Sequence, residues 1–70
     1  MKNHYQTLNI SRNACQIEIK SAYRKMALKY HPDRNPHKKT ADLFRKVHDA
    51  YKVLSTPSKR AIYDQNLFNS

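Results

Sequence analysis

Glu18-Ile19-Lys20-Ser21-Ala22-Tyr23-Arg24-Lys25-Met26-Ala27-Leu28-Lys29-Tyr30-His31-Pro32-Asp33-Arg34-Asn35-Pro36 is the stretch on which the reading of this chain turns. Ile19, Ala22, Tyr23, Met26, Ala27 and Tyr30 follow one another in alternating steps of three and one, the apolar stripe of an α-helix. At about 100° per residue, Lys20 and Arg24 fall along one flank of that stripe and Lys25 and Lys29 along the other. Leu28 points away from it, so it is either exposed or part of a contact surface. Tyr23 stands at the stripe's edge, where core packing and partner contact are both open. Proline lacks the backbone N–H and crowds the preceding turn, so Pro32 ends this helix near Tyr30 or His31, and Pro36 keeps the next residues extended. The result is a short, stiff loop that gathers an imidazole, a carboxylate and a guanidinium at the end of a helix. Such a loop can also be a plain polar connection, and the flanking sequence has to decide.

Upstream, Tyr5 and Leu8 are three residues apart, which suits a short helix from Asn3 or His4 to Leu8. Asn9 to Asn13 form a polar connection. Asn13 or Cys15 has to cap the long helix, Asn being a good cap and Cys a poor one. Glu18 sits near the positive end of that helix's dipole. Downstream, Leu43, Phe44, Val47, Ala50, Tyr51 and Leu54 repeat the helical spacing, so a third helix is expected from about Lys38 to Leu54. Thr40 can cap it, which would leave Lys38 and Lys39 in the loop. Two such helices joined by about eight to ten residues pack as an antiparallel pair. Thr56 as cap and Pro57 at the first helical position open a fourth helix, expected to reach about Gln65. Ile62 and Tyr63 are its apolar contacts, Arg60 and Asp64 form an i,i+4 pair, and the tail over Leu67–Ser70 frays.

Seventy residues without a repeat make one small domain, expected over 1–70 with its core at about 3–65 and a frayed tail at 66–70. A core of this size supplies only ~3–5 kcal/mol. Glycine is absent and prolines number three, which favours an all-α fold over a turn-rich β fold. The single cysteine, Cys15, excludes an internal disulfide and a cysteine-based zinc site. No targeting segment or membrane span is evident, and the expected compartment is the cytoplasm. Basic residues outnumber acidic ones 14 to 5, for a net charge of +9. Such a surface attracts polyanions, whether nucleic acid, an anionic membrane or an acidic protein face.

Enzyme readings fare poorly. Without glycine there is no phosphate-cradling loop and no nucleophile elbow. His4, His31, His37 and His48 form no paired ligand motif, and loop neighbours such as His31 and Asp33 usually diverge. A surface or binding histidine is favoured over a catalyst or metal ligand, and no cofactor is expected. The alternative of a basic helical nucleic-acid-binding domain has more weight. Against it, the basic helix offers no Asn or Gln placed to read a base edge, and the loop is too long for a helix-turn-helix.

The chain closely resembles the J-domain of the DnaJ co-chaperone family. The match covers roughly residues 3–65: His4-Tyr5 and Leu8, Glu18 through Asn35, then Phe44, Val47, Ala50-Tyr51, Val53-Leu54-Ser55, Pro57, Lys59-Arg60-Ala61 and Tyr63-Asp64. The resemblance implies a four-helix J-domain in which helices two and three form a long antiparallel hairpin with His31-Pro32-Asp33 at its tip. It implies a partner as well, a DnaK-type heat-shock chaperone engaged near its nucleotide-binding lobe and interdomain linker, whose ATPase the domain stimulates in support of protein folding and the stress response. Carried over by position, the chaperone contacts are His31, Pro32 and Asp33 with Lys20, Tyr23, Arg24 and Lys25. Arg34 and Asn35 support the loop, and Arg45 is a secondary contact. ATP chemistry would remain with the chaperone, and a monomer is expected.

Two departures stand out. Asn9 replaces a common glycine but tolerates left-handed geometry. Cys15 replaces a common Ser, Thr or Asp, which leaves the first turn of helix two open to fraying. No glycine/phenylalanine-rich linker, cysteine-rich zinc region or client-binding domain is present, so the chain reads as a stand-alone minimal J-protein or a fragment of a larger one.

Overall fold

The computed structural model describes residues 3–31, 33–34 and 36–69. Helix α1 spans His4–Thr7, α2 Gln16–Tyr30, α3 Lys38–Leu54 and α4 Pro57–Asn69, and no strand occurs among the described residues. The expected all-α, four-helix architecture is the one observed. Helices α2 and α3 run antiparallel: Gln16 Nε2 at the start of α2 donates to Leu54 O at the end of α3 (3.0 Å), Tyr23 meets Tyr51 and His48 midway, and His31 meets Phe44 at the far end.

The local chemistry of each element follows from a few residues. Asn3 caps α1 by accepting from Gln6 N (2.8 Å), and Gln6 Oε1 accepts from Asn3 N (3.0 Å), a reciprocal cap that satisfies two otherwise orphaned donors. Asn9 then takes φ 57°, the left-handed geometry expected at that position. Cys15 takes the extended cap conformation of α2, with its thiol opposite the Glu18 backbone N–H. Glu18 Oε1 reaches back to accept from Cys15 N (3.3 Å), and Cys15 O accepts from Ile19 N (3.0 Å), so the first turn closes from its third residue.

The start of α3 differs from expectation. Its cap is His37, not Thr40: the His37 ring Nδ1 accepts from Lys39 N (3.2 Å) on an extended backbone. Lys38 and Lys39 are therefore helical, and the connection shortens to residues 31–37.

The core comprises Tyr5, Leu8, Ala14, Ile19, Val47, Ala50 and Leu54, drawn from the first three helices and the α1–α2 connection. Two residues assigned to apolar contacts are exposed. Leu43 is 43% exposed and lines an open groove with Met26 and Tyr30, because the buried side of α3 is centred on Val47, Ala50 and Leu54. Ile62 is 61% exposed; among the described residues Tyr63 and Leu67, one turn apart, are the α4 residues packed on the core. The Leu67 contact also explains why α4 continues to Asn69 and does not stop near Gln65.

A polar cluster fastens α4 to the rest. Arg60 Nε donates to Tyr5 Oη (3.2 Å), while Arg60 Nη2 donates to Arg12 O (3.1 Å) and Ala14 O (2.8 Å). The Tyr5 hydroxyl donates to Asp64, which also faces the Arg60 guanidinium. Burial, reinforced by the bond to Asp64, pushes the Tyr5 hydroxyl above its usual range, so it remains a donor at neutral pH. His4 N donates to Tyr63 Oη (2.9 Å), and their rings stack at 4.4 Å. These contacts fix the base from which the α2–α3 hairpin projects.

Candidate functional site

The end of α2 sets the geometry of the loop. His31 leaves the helix with φ −61° and ψ 135°, the extended geometry a residue before proline adopts. Arg34 N then donates to His31 O (3.0 Å), closing a tight turn. Pro32 and Asn35 lie outside the described residues, whereas His31, Asp33 and Arg34 are all exposed.

His31 and Asp33 converge, against the divergence expected of loop neighbours. Asp33 N donates to His31 Nδ1 (3.2 Å), and one Asp33 carboxylate oxygen lies 3.6 Å from the same nitrogen. Only the backbone contact is within hydrogen-bonding distance, so Nδ1 serves as an acceptor and Nε2 is the ring nitrogen left for other partners. The side chains are 48% and 90% exposed, which leaves the carboxylate free to meet a cation. The His31 ring does not hang in solvent: it packs edge-on against Phe44 of α3, with centroids 5.8 Å apart and planes at 82°.

Along α2, Lys20 and Arg24 are exposed and Tyr23 is half-buried. The Tyr23 ring stacks on Tyr51 of α3 at 4.1 Å and 15°, and its hydroxyl is hydrogen-bonded to His48 Nδ1 at 3.3 Å. Of the two outcomes left open for Tyr23, the structure shows packing of the ring, while the hydroxyl lies at the surface. Lys25 does not join this face. It lines a groove with Asn9, Ile10, Ile17 and Met26, beside the α1–α2 connection and on the other flank of the helix. Leu28 is 62% exposed, pointing away from the stripe as its spacing requires. Arg45 is exposed on α3.

The hairpin thus brings together His31, Asp33 and Arg34 at one end and Lys20, Tyr23 and Arg24 along one side, while Lys25 is set apart. Sequence reasoning missed two supports, Phe44 under His31 and His48 beside Tyr23. Phe44 was legible only as an apolar-stripe residue. The signal for His48 is the spacing of Phe44, His48 and Tyr51, which puts one helical face of α3 against α2. Among the described residues no group of three His, Cys, Asp or Glu side chains is placed to hold a metal ion, and no helix is long and apolar enough to cross a membrane.

Three kinds of comparison bear on this arrangement. The family model described as the DnaJ domain matches residues 3–64. Chaperone protein DnaJ of Francisella tularensis is 55% identical over 65 residues, covering 91% of this chain and 18% of the relative. Chaperone protein DnaJ of Anaplasma marginale (strain Florida) is 55% identical over 64 residues, covering 90% of this chain and 17% of the relative. The chain thus spans less than a fifth of the length of these relatives. Among solved structures, the J-Trx1 fragment of ERdj5 superposes with a TM-score of 0.88 at 39% identity, covering 93% of this chain and 32% of that one.

Proposed function

This chain belongs to the DnaJ domain family, and on that premise we propose that it docks on a DnaK-type heat-shock chaperone and stimulates the chaperone's ATPase. The observation that carries the reading is the exposed His31–Asp33 turn, braced on Phe44 at the tip of an antiparallel hairpin. Asp33 is the negative charge at that tip and suits a chaperone arginine, whose planar fork matches a carboxylate. Pro32 restricts the backbone between His31 and Asp33 before any partner arrives, which reduces the ordering cost of binding. Lys20 and Arg24 supply a cationic flank that steers the domain toward an acidic face. Arg34 closes the turn through its backbone, Asn35 is assigned a loop-supporting role, and Arg45 is assigned a secondary contact.

This chain contributes no step of the hydrolysis. Stimulation requires that the turn bind one conformation of the chaperone more tightly than another, since a ligand shifts an equilibrium only by its differential affinity. His31→Gln keeps a polar side chain but removes the imidazole from its seat on Phe44. In a steady-state ATPase assay with a DnaK-type chaperone, the wild-type chain accelerates hydrolysis and His31→Gln does not, while circular dichroism shows equal helicity. Equal stimulation by both chains would refute the proposal.

A further inference from the structure

The Tyr23 hydroxyl lies at the junction of two helices, and the α3 side of that junction contains an unassigned histidine. Tyr51 holds the Tyr23 ring by parallel stacking, with centroids 4.1 Å apart and planes at 15°. That stack directs Tyr23 toward α3, where His48 Nδ1 lies 3.3 Å from its hydroxyl and the imidazole is tilted 48° to the phenol. Neither residue is buried enough to need this bond: His48 is exposed and Tyr23 half-buried. Water can satisfy both, so the contact contributes little to folding. It does remove torsional freedom from a side chain on the docking face, and ordering such a side chain in advance lowers the cost of association.

We propose that His48 is a positioning residue for chaperone docking: it holds the Tyr23 hydroxyl in one orientation beside Lys20 and Arg24. The inference rests on the docking function proposed above and adds His48 of α3 to a surface assigned chiefly to the loop and α2. With a neutral imidazole protonated on Nε2, the Tyr23 hydroxyl donates its proton to Nδ1. Its oxygen lone pairs then face outward, and Tyr23 presents an acceptor to a donor on the chaperone. Lys20 and Arg24 are themselves donors, so this arrangement sets an acceptor beside them.

The test measures chaperone ATPase rate against concentration of the full chain for wild type, His48→Ala, His48→Asn, Tyr23→Phe and the Tyr23→Phe/His48→Ala double variant, with His31→Gln alongside. His48→Ala raises the half-saturating concentration roughly threefold, the equivalent of one modest hydrogen bond, with maximal stimulation unchanged. His48→Asn places Oδ1 near the position of Nδ1 and restores most of the loss. In the Tyr23→Phe background, His48→Ala has no further effect, because the hydroxyl it positions is gone. A merely structural role would lower the urea midpoint and would not depend on the Tyr23 hydroxyl. An unchanged half-saturating concentration, a lowered maximum, failure of the Asn variant to rescue, or an equal penalty in the Tyr23→Phe background would each overturn the proposal. If His31→Gln stimulates as well as wild type, the docking function itself fails, whatever His48 does.

Discussion

Arg60 shows how much one side chain can fix in a chain with so small a core. Its guanidinium reaches a phenol oxygen on α1, two carbonyls of the α1–α2 connection and a carboxylate one turn along α4. Its side chain is 19% exposed, so these bonds form in partly dehydrated surroundings where an unpaired acceptor is costly. Lysine carries the same charge but has one nitrogen and no planar fork, so it cannot serve three acceptors at these positions. Arg60→Ala is therefore expected to cost ~2–3 kcal/mol in urea unfolding, and Arg60→Lys is expected to recover less than half of that. Equal stability of the Lys variant and wild type would show that charge alone, not the fork, holds α4. Only the Asp64 part of this cluster was visible in the sequence, because it lies four residues away; the other partners are 46–55 residues distant and are brought near only by folding.

At the scale of elements, local periodicity is sufficient for α2 and α3, whose spacing fixes both their length and the side they bury. Ends and edges were less legible. The His37 cap was missed because Thr40 satisfies the usual cap preference, whereas an imidazole nitrogen that can accept is set by ring orientation. The extra turn of α4 was missed because Leu67 acquires its packing from other helices. For the proposed docking face, spacing places Lys20 and Arg24 on one flank of α2 and His31 and Asp33 in the loop, and the family resemblance makes them contacts, but neither reveals the bracing by Phe44 and His48. The poor cap of α2 gives a direct test of element-level reasoning. Cys15 already has the cap backbone geometry, and Glu18 already supplies the return bond. Cys15→Ser replaces a weak sulfur acceptor with an oxygen and strengthens the reciprocal cap. Its urea midpoint is expected to rise by the equivalent of ~0.5–1 kcal/mol at unchanged slope. A lower midpoint would show that the thiol contributes packing that the hydroxyl cannot.

For the molecule as a whole, the excess of cations is the property that bears on the proposed docking at long range. The chain carries a net charge of +9 on 70 residues, and Lys20 and Arg24 are exposed on the hairpin. Exposed charges of this kind chiefly raise the association rate, and salt screens them within a Debye length of ~10 Å at 0.1 M. The contribution proposed for the His31–Asp33 turn differs, because the imidazole is seated on Phe44 by a ring contact that salt does not screen. The two contributions should separate in one titration of chaperone binding. Arg24→Ala is expected to weaken binding roughly three- to fivefold near 0.02 M salt, mostly through a slower association rate, and to match wild type within about 1.5-fold near 0.5 M. The defect of His31→Gln should persist at both salt concentrations. If the Arg24→Ala defect instead remained constant across that range, the guanidinium would be acting as a fixed hydrogen-bonding contact in the complex, and the steering role assigned to the basic flank would have to be abandoned.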